Sequence, residues 1–157
     1  ANGGLVVHSS AIHYQNKGII FSAPSGTGKS THAKYWREYL GAGIINDDSP
    51  ALMIKNNDVL VCGTPWSGST DLYSSICVPL HAIIVLSQHH CNEIYRMNNK
   101  EIIHALFPRC LFPYHSPQLI NMAFENFTKM IGSVPVYHLK CTPSLEAAKL
   151  VKSYLQL

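Results

Sequence analysis

Four residues in the first third of the chain have the types and order of a phosphoryl-transfer site. Lys29 and Ser30 close the run SAPSGTGKST, residues 22–31, and Asp47 and Asp48 follow in IINDDSP. A phosphate-binding loop reads G-x-x-x-x-G-K-[ST]. Ala23 stands at the first position of that pattern, and Gly28, Lys29 and Ser30 meet the rest. Gly26 and Gly28 let the backbone curl so that several N–H groups converge on an anion. Lysine in this place reaches the β- and γ-phosphates, and the following hydroxyl serves Mg²⁺. Ser25, Gly26, Thr27, Gly28, Lys29, Ser30 and Thr31 are therefore the expected nucleotide contacts.

The elements around this run are those the chemistry needs. GIIF, residues 18–21, is apolar and β-branched and predicts a buried strand. STHAKYWREYL, residues 30–40, predicts a helix that Gly41 and Gly43 stop. Strand, glycine loop and helix N-terminus bring a dipole and free N–H groups to one point. The alternative is an ordinary turn rich in small residues.

A phosphate site names no reaction without a second group for metal or proton. Asp47 and Asp48 end an apolar strand, GII, at the end where α/β sheets bind ligands. Adjacent strand residues face opposite ways, so the two carboxylates can divide the labour. A polar turn before Pro50 is the plainer reading. His8, at the end of GLVV, is a third candidate among nine histidines.

Elsewhere, strands are expected in GLVVHS, AIHYQ, PALMIK, VLVCG, HAIIVLSQ, EIYRM and VPVYHLK. Turns are expected at Asn16-Lys17-Gly18 and Asn56-Asn57-Asp58. Helices are expected in NKEIIHALF, from Gln118 to Ile131, and in TPSLEAAKLVKSYL with Thr142 as N-cap. The loop from Thr64 to Ser75 carries Gly68 and Trp66. It reads as a lid or acceptor-docking segment, or else Trp66 is a core anchor. Hairpins beside crossovers give an α/β class with a mixed sheet.

Length and composition bound the rest. The 157 residues suit one domain, 1–157. The first residue is Ala, so we expect a fragment or processed form. At 46% hydrophobic and 13% charged, some surface is expected to belong to a partner, a second copy included, or to a missing segment. A net charge of +3 gives no argument for nucleic acid. No apolar run reaches a membrane-spanning length, and no signal peptide is evident. Five cysteines without a C-x-x-C predict reduced thiols in a cytoplasmic protein. His89-His90-Cys91 reads as a turn rather than a metal site.

Three segments together resemble the catalytic domain of HPr kinase/phosphorylase, in the phosphoenolpyruvate-carboxykinase-like P-loop group. They are VHSSAIHYQNKGIIFSAPSGTGKST, GAGIINDDSPALMI, and VCGTPWSG followed by VPLHAIIVLSQ. The resemblance covers about residues 5–90 and implies a P-loop kinase core with a mixed sheet. It implies phosphoryl transfer from ATP with Mg²⁺ to a serine of a protein or peptide. By position it implies that Lys29 contacts phosphates, Ser30 and Asp48 serve the metal, Asp47 is the base, and His8 stands by the transferred phosphate or orients the aspartate. The Asp47 and Asp48 roles are open to exchange. Other readings are a nucleotide-binding regulatory module without catalysis, a carboxykinase-like enzyme for a small acid, and an ATPase or GTPase. The small-acid reading would call for clustered arginines, and the chain has only Arg37, Arg96 and Arg109.

Overall fold

The apolar run predicted around residues 81–88 lies at the junction of the sheet. It belongs to β7 (Cys77–Gln88), the longest strand. The structure, a computed structural model, describes residues 3–68 and 72–157. The strands β1 (Gly3–Val7), β2 (Ser9–Tyr14), β3 (Lys17–Ser22), β4 (Gly43–Asn46), β5 (Ala51–Lys55), β6 (Asp58–Cys62) and β9 (Cys110–Leu111) join β7 in the order β4-β2-β3-β7-β6-β5-β1-β9. β10 (Val136–Cys141) pairs with β7, and β8 (Glu93–Arg96) with β10. Pairing is antiparallel except where β7 meets β3 and β10.

β7 reads as a continuous apolar run because both of its faces are covered. Ala82, Ile84 and Leu86 pack with Ala33 and Trp36 of α1 (Lys29–Leu40) and Ala147, Ala148 and Val151 of α4 (Leu145–Tyr154). The alternate residues Ile83 and Val85 pack with Ile102 and Leu106 of α2 (Asn99–Leu106) and Phe127 and Met130 of α3 (Pro117–Ser133). β3 divides in the same way: Ile19 and Phe21 join the first core and Ile20 the second. A period of two thus feeds two hydrophobic layers, with helices on both faces of a mixed α/β sheet.

Several local expectations change. Cys62 and Cys77 form a disulfide, whereas Cys91, Cys110 and Cys141 are free thiols. The expectation of five reduced thiols is corrected. The two cysteines face each other across the β6–β7 pair, a register that residue spacing alone does not reveal. The turn before β3 is Gln15-Asn16, both left-handed (φ 49° and 59°), so Lys17 and Gly18 lie in the strand. Ser144, rather than Thr142, caps α4, accepting the N–H of Ala147. Thr142 is engaged instead by its N–H to Asn92 Oδ1 at 2.9 Å, which holds it at the strand end. No helix among the described residues is long and apolar enough to cross a membrane.

Candidate active site

The loop between β3 and α1 is shaped by two glycines. Gly26 (φ 80°) and Gly28 (φ 113°) are left-handed, a conformation that any Cβ strains. Between them the Thr27 N–H donates to the Pro24 carbonyl at 3.2 Å and closes the curl. Helix α1 starts at Lys29 with no side-chain cap and no acidic residue in its first turn. Its first N–H groups have no carbonyl one turn back, so they and the positive end of the dipole are directed out of the helix start.

Lys29 folds back over the loop. Its Nζ donates to the carbonyls of Ala23 (3.0 Å) and Pro24 (3.4 Å), and the residue is only 7% exposed. Burial lowers its pKa below the ordinary lysine value; the charge of Arg109 lowers it further, against the raising effect of Asp48. Ala23 is buried in the α1/α4 core, so the residue that departs from the motif supplies packing and a carbonyl for Lys29.

Asn46, the last residue of β4, organises the opposite wall. Its Oδ1 accepts the N–H groups of Asp48 (2.9 Å) and Ser49 (2.7 Å). Its Nδ2 donates to the carbonyls of Thr64 (3.0 Å) and Trp66 (2.9 Å). One fully buried amide therefore turns the chain through the two aspartates and ties down the loop after β6. Ser9 and Ser10 hold the same segment from beneath: the Ser9 N–H donates to the Asp48 carbonyl and Ser10 Oγ to that of Asp47.

The two carboxylates have different surroundings. Asp47 is buried, and its Oδ1 accepts the Gly68 N–H at 3.0 Å. Asp48 is half-buried; its Oδ1 lies 3.4 Å from His8 Nδ1, and its Oδ2 accepts Ser49 Oγ–H at 2.8 Å. His8 itself joins β1 to β2, its N–H donating to the Arg109 carbonyl at 2.7 Å. His32, by contrast, is a core residue. It accepts from Trp36 Nε1, and burial pulls its pKa down to about 4.

These walls enclose a cavity of about 300 Å³ lined by His8, the loop and first turn of α1, Asp47, Asp48 and Gly68. Every residue predicted for the site lines it except Thr27, which lines a smaller neighbouring cavity beside Pro143. Sequence reasoning passed over Asn46, Ser9 and Ser10, although asparagine before paired acids is a turn-forming signal. Trp66 is 65% exposed, so it is no core anchor. Residues 69–71 of the predicted lid lie outside the described residues.

No protein-family model matches the chain, and no curated protein does. Among solved structures it is similar to the Hpr(Ser) kinase/phosphatase from Coxiella burnetii. The match has a TM-score of 0.53 and 12% sequence identity, and covers 96% of this chain and 88% of that one. At that identity the likeness is one of fold: the chain has the mixed α/β architecture of that HPr kinase/phosphatase.

Proposed function

We propose that the chain is a kinase that transfers the γ-phosphoryl group of ATP, with Mg²⁺, to a serine-type hydroxyl of a protein or peptide. The observation that carries this reading is the convergence of Lys29, Ser30, Asp47, Asp48 and His8 on one cavity at a helix N-terminus. The fold shared with an HPr kinase/phosphatase supports it.

The curled loop and the first N–H groups of α1 bind the phosphates, and Lys29 exchanges the carbonyls of Ala23 and Pro24 for phosphate oxygens. Ser30 and Asp48 offer hard oxygen donors of the kind Mg²⁺ takes and would hold it. When bound, the ion neutralises charge on the phosphates. Asp47 accepts the proton of the acceptor hydroxyl as the new O–P bond forms and the bond to the β-phosphate oxygen breaks, leaving ADP. The Gly68 N–H orients the Asp47 carboxylate. His8 steadies Asp48. Arg109 adds positive charge beside Lys29.

Calorimetry with ATP and Mg²⁺ tests the first half of the reading. The wild-type chain should bind nucleotide. Lys29→Ala lowers transfer on the order of 10²- to 10³-fold. Absence of nucleotide binding under every metal condition overturns the reading.

A further inference from the structure

Next to the site lies a second cavity of about 350 Å³ that shares Ser30, Thr31 and Asp47 with it. It runs along one stripe of α1, since Ser30, Lys34 and Arg37 are spaced three or four apart and so share a face. The far wall is Ile44 of β4 and Leu72. Of the two aspartates, Asp47 lines both cavities and Asp48 only the first. The chain therefore offers two approaches to Asp47, one from the phosphate loop and one from this groove.

The apolar walls of the groove are Ala33, Ile44 and Leu72. Ser30, Thr31 and Asp47 stand at its near end, and Lys34, Arg37 and Glu38 carry the charge at its far end. Lys34 is paired with Glu38 at 3.8 Å. Arg37 is exposed and has no ion pair or side-chain hydrogen bond among the described residues. At 1.5 Å rise per residue, Arg37 lies about 10 Å along the helix from Ser30. An extended chain advances about 3.3 Å per residue, so that span is about three residues.

We propose that this groove takes the phosphate acceptor as an extended peptide, and that Arg37 selects one with a carboxylate about three residues from the phosphorylated serine. The inference rests on the kinase reading above and assigns its substrate class. The apolar walls take the intervening side chains. The guanidinium supplies a planar, permanently charged partner for the carboxylate.

The test uses the whole chain with ATP, Mg²⁺ and synthetic peptides. Each holds one serine in a neutral background, with a single Asp moved from four residues before it to four after. The expected result is a maximum in kcat/KM with Asp about three residues away on one side, about two- to fivefold above the Asp-free peptide. The gain lies in KM. Arg37→Gln flattens the profile, and Arg37→Glu moves the preference to a peptide with Lys at that position. A profile that Arg37→Glu leaves unchanged overturns the inference while the kinase reading stands. Nucleotide binding with no transfer to any peptide overturns the peptide acceptor. Failure to bind nucleotide at all is the separate failure of the kinase reading.

Discussion

Replacing Asn46 by alanine is the most informative single perturbation of the architecture around the aspartates. The side chain is fully buried and makes hydrogen bonds to both sides of the site. Its loss leaves two N–H donors, of Asp48 and Ser49, and two carbonyls, of Thr64 and Trp66, without these partners. A buried polar group left unsatisfied costs about 1–3 kcal/mol. The hydrogen bond to Thr64 is buried but the other three are only partly buried and water can reach them, so the sum is about 3–5 kcal/mol rather than the full amount. In a chain of this size that lowers Tm by roughly 6–20 °C. Asn46→Asp keeps the acceptor for Asp48 and Ser49 but loses the donor to Thr64 and Trp66. It also adds a charge beside two carboxylates. It should fall between wild type and Asn46→Ala in urea unfolding at high ionic strength. In both variants transfer falls more than nucleotide affinity, because the P-loop does not depend on this amide. An Asn46→Ala chain within about 0.5 kcal/mol of wild type refutes the reasoning.

Three further outcomes follow from other parts of the fold. His32 has its pKa lowered from 6.5 to about 4, so between those values the unfolded chain binds the extra proton and stability falls as pH falls. The loss is about 3 kcal/mol from pH 6.5 to 4, measured by urea unfolding, and is absent from the pH slope of His32→Asn. The Cys62–Cys77 disulfide closes a loop with a sequence separation of 15, so a reducing agent or the Cys62→Ser/Cys77→Ser pair should cost about 3 kcal/mol of stability. Thermal melts with and without reductant check it, and Cys62→Ser/Cys77→Ser melts should then be insensitive to reductant. Trp66→Ala should change stability by less than about 0.5 kcal/mol, because the ring is largely exposed.

Much of this is legible in the sequence alone. The strand GIIF, the loop and the helix form one local unit whose turn chemistry depends on neighbours in the chain, so residues 18–40 read correctly to within a residue or two. The strand in HAIIVLSQ was legible because two buried faces leave a continuous apolar run. What was missed depends on pairing distant in sequence. Cys62 meets Cys77 through the β6–β7 register, and Asn46 meets Thr64 and Trp66 across the sheet end. The two-residue β9 is held by pairing with β1, and its own sequence carries no period. At the site, residue types named the candidates, whereas the unequal surroundings of Asp47 and Asp48 came only with the loop after β6. The pairing of His8 with Asp48 likewise needed the fold.

The central claim is that a phosphate loop and a carboxylate base act together on one acceptor hydroxyl. Its most direct test is phosphoryl transfer at saturating ATP in Asp47→Asn and Asp48→Asn, with nucleotide affinity followed across a Mg²⁺ titration. Asp47→Asn should bind Mg·ATP as wild type does and lose transfer. Asp48→Asn should lose transfer together with the Mg²⁺ dependence of nucleotide binding. Wild-type transfer by Asp47→Asn would contradict the account. Loss of Mg²⁺ dependence in Asp47→Asn alone would exchange the roles of the two aspartates.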